Sequence, residues 1–374
     1  MLFTEVIGQN EIKKRLIDGV KDDRVSHALL FSGFAGAGKL PMAIAYAQYI
    51  NCKNRGETDS CGECPSCKKF KKLIHPDLHF VFPVVKTPKF KEPVSDNFLD
   101  KWRMQVLKNP YFNIDVWNRF IDVENSQAQI FVNESSEIIR KLNLKTFEAE
   151  YKVMIVWMAE RMNAQCANKL LKMIEEPPPK TLFILITESE DQILATIKSR
   201  TQLVKFTGID TESMIKALEN NPLTVGKNLK GMAHLAGGNY IAALELLTPD
   251  EQTKKFFDQF TSLMRLTYKR DWMPLFDWVD EVAGWGREQQ KSFLLYCIKM
   301  VRENFIMNLK EPELVFLNEQ EKGFSDKFSP FINERNVAVF SDEFGKAHRD
   351  ISQNGNPRII FLDLMLKVVK MIKA

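Results

Sequence analysis

The apolar positions of the chain follow two regimes. Up to Phe206, short uninterrupted apolar runs alternate with stretches of helical spacing; beyond it, helical spacing alone remains. The run "HALLFSG", His27 to Gly33, ends at a glycine and predicts a buried strand. In "LPMAIAYAQYI", Leu40 to Ile50, apolar residues recur with the helical period, and Pro41 is tolerated in a first turn. Val153–Trp157 and the later "LFILIT" predict two more buried strands. Between them Asn163 is placed to cap a helix that runs through Glu176, stops at Pro177–Pro179, and turns Leu170, Leu171 and Ile174 to one face. Uniformly apolar strands alternating with helices predict an α/β architecture, a parallel sheet covered on both faces.

The stretch from about 78 to 132 breaks this rhythm. "FPVVKTPKFKEPVSDNF" is rich in Pro and Lys and reads as loop. "DKWRMQVLKNPYFNIDVWNRFID" follows, with Trp102, Tyr111, Phe112, Trp117 and Phe120 either docking this insertion on the core, the preferred reading, or forming a partner surface. In "ESSEIIRKLNLKTF" the helical pattern resumes at Ile138, Ile139 and Leu142. After Phe206, short helices with Gly and Asn punctuation predict a small domain at 208–247, and aromatic-rich helices a third at 248–374. In its last helix Phe361, Leu364, Leu366 and Val368 face the domain interior or neighbours. A chain of 374 residues exceeds one ordinary core, which fits two or three domains.

Composition changes little. Apolar content of 45% and charged content of 27% describe a soluble globular protein. A net charge of +4 permits contact with nucleic acid without demanding it. No run reaches membrane-spanning length, and polar and acidic residues interrupt the N-terminal segment, so a cytoplasmic location with no membrane partner is expected.

The chemistry starts in "SGFAGAGKLPMA", Ser32 to Ala43. Gly33, Gly36, Gly38 and Lys39 lie between the first strand and its helix, the context a phosphate-cradling loop requires. Glycines let backbone N–H groups converge on phosphate oxygens, the helix N-terminus adds its dipole, and Lys39 would reach the terminal phosphates. The next residue ordinarily gives a hydroxyl to Mg²⁺, and here it is Leu40. A hydrolase also needs strand-end carboxylates, where this chain offers Trp157 and Met158, with Glu160 a weak substitute two positions on. Absent ATP hydrolysis, weak or no nucleotide binding, and no Mg²⁺ are therefore expected.

Cysteines supply a second site. Cys61, Cys64 and Cys67 stand at three-residue steps with Cys52 nine positions ahead, a spacing for a tetrahedral, fully closed and hence structural Zn²⁺. Chelation would fold an otherwise coreless excursion, 52–67. Lys68, Lys69, Lys71 and Lys72 could meet DNA phosphates or form a solvated helix face. Cys166 and Cys297 sit in apolar-periodic segments as buried hydrophobes.

Together, "FTEVIGQNEIKKRL", "RVSHALLFSGFAGAGK", the cysteine insertion, "HPDLH", "NKLLKMIEEPPPKTLFILIT" and "ATIKSRT" resemble the bacterial clamp-loader subunits of DNA polymerase III, of AAA+ type, and among them the delta-prime branch rather than gamma/tau. The resemblance covers most of residues 1–247. It implies a P-loop domain at 1–207, a small helical lid at 208–247 and a collar domain at 248–374. It further implies assembly with gamma/tau and delta subunits to load the sliding clamp on primed DNA, as part of a DNA-directed DNA polymerase but without intrinsic ATPase. Ser199, Arg200 and Thr201 stand at the family's Ser-Arg-Cys signature, so Arg200 is implied as the arginine finger offered to a neighbour's ATP. Ile241 stands where the family's second-domain arginine senses nucleotide. The alternatives are an active gamma/tau-type ATPase and a zinc-containing protein–protein scaffold.

Overall fold

Five strands, β1 (Ala28–Ser32), β2 (Leu78–Val81), β3 (Lys152–Trp157), β4 (Thr181–Thr187) and β5 (Gln202–Lys205), pair in the order β2-β3-β4-β1-β5. All pairings are parallel, as the uniformly apolar runs require. The computed structural model describes residues 1–123, 127–224, 229–247, 251–309, 315 and 317–372. They form two compact units, Met1–Ala243 and Leu244–Ala374.

In the first unit, α1 (Asn10–Lys21), α2 (Lys39–Ile50) and α3 (Pro65–Lys71) precede β2. The insertion then carries α4 (Leu99–Lys108) and α5 (Ile114–Phe120), and α6 (Val132–Asn143) leads into β3. Next come α7 (Ala164–Glu175), α8 (Ala195–Lys198), α9 (Thr211–Glu219), α10 (Leu229–Leu235) and α11 (Tyr240–Leu247), within which the division between the units falls.

Alternate strand residues feed two apolar layers. Leu29, Phe31, Val153, Ile155, Leu182 and Ile184 join α2 in one; Ala28, Leu30, Met154, Val156, Phe183 and Leu185 join Ile138, Leu142, Leu170 and Ile174 in the other. All twelve residues of α2 are buried. Asn163 caps α7, its Oδ1 accepting from the Cys166 N–H at 2.7 Å. In "HPDLH", Asp77 accepts from the N–H groups of Phe147, Glu148 and Ala149 at 2.7–2.9 Å, tying that loop to the start of β2.

The Pro- and Lys-rich stretch after β2 is irregular apart from a 3-10 turn at Ser95–Phe98. The aromatic segment behind it packs inward. Trp102, Tyr111, Phe112 and Trp117 are buried; Phe120 is half-buried. Trp102 stacks on Phe82 with centroids 4.2 Å apart, and the Trp117 indole N–H donates to the Pro83 carbonyl at 2.8 Å.

The second unit is helical among its described residues: α12 (Glu251–Lys269), α13 (Trp272–Ala283), α14 (Arg287–Asn308), α15 (Glu319–Phe328), α16 (Val337–Ser352) and α17 (Pro357–Met371). Phe260, Phe293, Cys297, Phe340, Phe344, Phe361, Leu364 and Val368 are in its core. Leu366 is exposed, unlike its three apolar companions on α17.

Candidate functional site

β1 delivers the chain to the phosphate loop between its two neighbours: Ser32 is in register with Thr187 of β4 and Lys205 of β5. Gly33 is pressed against Phe206, where an added Cβ would lie 2.6 Å from the Phe206 carbonyl oxygen. Gly36 has φ +76°, and its Cβ would lie 1.9 Å from Asn239 Oδ1, so no side chain fits there. Gly38, also left-handed, opens α2. Gly33, Gly36, Gly38 and Lys39 thus form one continuous turn from strand to helix.

Lys39 is nearly buried, and its ammonium donates to the carbonyl of Gly33 and, at 2.6 Å, to that of Phe34. The group a phosphate would engage is held by the loop itself. Burial pulls the lysine pKa down to about 8, against an upward pull from Glu188 and Glu160.

Leu40, Trp157 and Met158 are each at most 4% exposed and belong to one apolar cluster. Trp157 packs against Phe112 and Trp102 with centroids 5.0 and 5.3 Å away. Mg²⁺ requires oxygen ligands, and these three positions supply none. Carboxylates do stand near Lys39. Glu160 Oε1 accepts from the Glu188 N–H at 3.1 Å, while Glu160 Oε2 is buried without a partner. Burial raises the Glu188 pKa, and Lys39 opposes the rise. Glu188 escaped the sequence reading, although a carboxylate directly after an apolar strand was a legible signal.

The loop is enclosed from three sides. Gln9 donates its side-chain amide to the carbonyls of Ala37 and Thr207 at 3.0 and 2.7 Å. The N–H of Tyr240 donates to the Gly36 carbonyl at 3.3 Å, and Asn239 Oδ1 accepts from the N–H groups of Ile241 and Ala242. Ile241 itself is buried. Tyr111 of the insertion packs beside Gly38, its ring reaching within 3.5 Å of the position a Cβ would take there.

The cysteines form a second centre. Sγ atoms of Cys52, Cys61, Cys64 and Cys67 all lie within 4.8 Å of one another. The separations of 3.5 Å for Cys52–Cys61 and 3.9 Å for Cys61–Cys67 bracket the ~3.8 Å between sulfurs in a zinc tetrahedron with Zn–S near 2.3 Å. Backbone N–H groups of Cys61, Cys64 and Cys67 donate to Cys52, Cys61 and Cys64 Sγ at 3.3–3.4 Å, the polarity that thiolates need. Hydrogen bonds from Cys64 and Glu63 lower the Cys61 pKa to about 6. The four thiols can hold zinc. Lys68, Lys69 and Lys71 line the adjoining α3, where Lys69 pairs with Glu148 at 2.6 Å.

Arg200 follows α8 (Ala195–Lys198). Its Nε donates to Glu175 Oε2 at 2.8 Å, and a terminal nitrogen donates to the Thr196 carbonyl at 3.1 Å. It is half-buried, with Glu175 more exposed.

A parallel sheet and a glycine-rich loop opening a buried helix, followed along the chain by a helical unit, define the class: an AAA+-type P-loop protein. The chain belongs to the DNA polymerase III, delta subunit, family, whose model matches residues 8–210, more than half of its length. The delta' subunit of Bacillus subtilis is 29% identical over 245 residues, covering 65% of this chain and 60% of that relative. For the Haemophilus influenzae delta' subunit the identity is 27%, with 67% and 64% covered. The Bacillus subtilis tau subunit is 27% identical over 66% of this chain and 37% of its own. Each match therefore spans less than two thirds of the relative. Among the described residues, no helix is long and apolar enough to cross a membrane.

Proposed function

We propose that the chain is a non-hydrolysing, delta-prime-like subunit of the replicative clamp loader. It assembles with gamma/tau and delta subunits, helps load the sliding clamp on primed DNA, and presents Arg200 to ATP bound by a neighbour. The observation that carries this reading is the apolar burial of Leu40, Trp157 and Met158 where phosphoryl transfer needs oxygen ligands for Mg²⁺. Lys39, bonded to its own loop, supports it.

Arg200 is suited to its role because a guanidinium offers a rigid fork of donors to charge developing on a phosphoryl group. Its bridge to Glu175 lies at the surface, where such pairs contribute about 0.2–1 kcal/mol, so release toward a neighbouring phosphate is inexpensive. Zn²⁺ on Cys52, Cys61, Cys64 and Cys67 would be structural, since four thiolates leave no open coordination position.

The second reading, an active gamma/tau-type ATPase, draws on Glu160 and Glu188 beside Lys39. Reconstitution separates the two. The isolated chain with ATP and Mg²⁺ shows no turnover, whereas adding it to gamma/tau and delta raises the ATPase and clamp-loading rates of the complex. Steady turnover by the chain alone selects the second reading.

A further inference from the structure

The segment between β2 and α6 has no role in the assembly proposed above, yet two consecutive residues in it pack at separate places, Tyr111 at the phosphate loop and Phe112 at the end of β3. Tyr111 is 7% exposed and packs at Gly38, the residue that opens α2. Its hydroxyl oxygen accepts from the backbone N–H of Ile7 at 2.9 Å, and its ring meets Tyr240 edge-on, centroids 5.0 Å apart at 69°. Phe112 turns the other way, packing 5.0 Å from Trp157 and 5.5 Å from Trp102. The segment is fixed between α4 and α5 by Asn109, whose Oδ1 accepts from the Tyr111 N–H at 2.9 Å, and by Asn113, which caps α5 through the Val116 N–H.

We propose that the insertion is the resident occupant of this chain's own nucleotide cleft, with Tyr111 in the place of a nucleoside and Phe112 closing the metal side over Trp157. A nucleotide whose phosphates lie on the loop must carry its base past the helix-opening end. There a base needs an aromatic neighbour and a backbone donor for a ring nitrogen. The phenol of Tyr111 uses both, Tyr240 and the Ile7 N–H, without bringing phosphates. The phosphate side is completed internally by Lys39 on the Gly33 and Phe34 carbonyls. Leu40 and Trp157 are then parts of a filled core. The inference rests on the phosphate-loop assignment and goes beyond the clamp-loader reading.

The test is titration of the full chain with a fluorescent ADP analogue, without Mg²⁺, alongside hydrogen exchange at the Ile7 amide. Wild type shows no saturable binding at millimolar analogue and a protected Ile7 amide. Tyr111→Ala, with β3 and β4 exchange unchanged as proof of fold, binds the analogue roughly tenfold or more tightly than wild type. Micromolar binding by wild type, or a folded Tyr111→Ala chain that gains none, overturns the proposal. If Tyr111→Ala does not fold, Tyr111→Phe decides: it keeps the ring and loses the acceptor, so Ile7 exchange accelerates alone, and unchanged exchange overturns the assignment. Wild-type ADP binding would leave the non-hydrolysing role intact, because that role stands on turnover and on the reconstituted complex.

Discussion

Restoring the missing hydroxyl with Leu40→Thr distinguishes a merely defective site from a filled one. Leu40 is 4% exposed, in the first turn of a helix buried along its whole length. The substitution removes about two carbons from the apolar cluster, or ~1.6 kcal/mol at ~0.8 kcal/mol for each. It also buries a hydroxyl, which costs ~1–3 kcal/mol if unbonded and less if it back-bonds to the helix. The expected net loss is about 2–3 kcal/mol. For a unit the size of Met1–Ala243, each kcal/mol lowers the melting temperature by about 2–4 °C, so a fall of roughly 4–12 °C follows. The assay is thermal melting, read by hydrogen exchange in β1 and β4, with ATP turnover measured on the same preparation. The variant melts earlier and still hydrolyses nothing. A Leu40→Thr chain that hydrolyses ATP at unchanged stability would refute the reasoning, because the hydroxyl would then have been the only part missing.

Three further outcomes follow from the same geometry. Arg200→Ala leaves the isolated chain within ~1 kcal/mol of wild type, the value of an exposed pair, but lowers ATPase of the reconstituted complex by on the order of 10³; an unchanged rate removes Arg200 from the role. Cys61→Ser lowers zinc content from near one equivalent per chain and speeds amide exchange across α3, measured by metal analysis and mass spectrometry; full zinc occupancy in the variant contradicts a four-thiolate site. Glu134 is 1% exposed, with Oε2 accepting from the Ser95 N–H and Oε1 unpartnered, and burial raises its pKa from 4.5 to about 7. The folded chain thus holds a proton that the unfolded chain releases between those values, so stability falls as pH rises from 4.5 to 7 and the deficit is constant above. Glu134→Gln should be neutral near pH 4 and more stable by about 3 kcal/mol at pH 8, in denaturant melts of the two chains; equal curves at pH 8 would place the carboxylate in a solvated setting.

Central strands were legible because burial on both faces gives them unbroken apolar runs: Val153–Trp157 and Leu182–Thr187 lie within the observed β3 and β4. β5 was not legible, since Gln202 and Lys205 are exposed and only Val204 is buried at this sheet edge. β2 is four residues long and begins in a His- and Asp-bearing stretch, which hid it. The phosphate loop and cysteine cluster could be read because their chemistry depends on short spacing. Tyr111 could not, since its partner Ile7 lies 104 residues away and only the folded insertion brings them together. Glu188 and Glu160 meet just past the ends of the neighbouring strands β4 and β3, so their proximity to Lys39 is a property of sheet order. Arg200 was placed by resemblance, while its partner Glu175 comes from the end of α7 and had no local signal.

The most direct measurement is a crystal structure of the chain grown with ATP and Mg²⁺ in excess. The account predicts Tyr111 on the Ile7 amide, Lys39 on its own loop carbonyls, and no nucleotide density above Gly36. Phosphates on Lys39, with a magnesium ion held by Glu160 or Glu188, would contradict it.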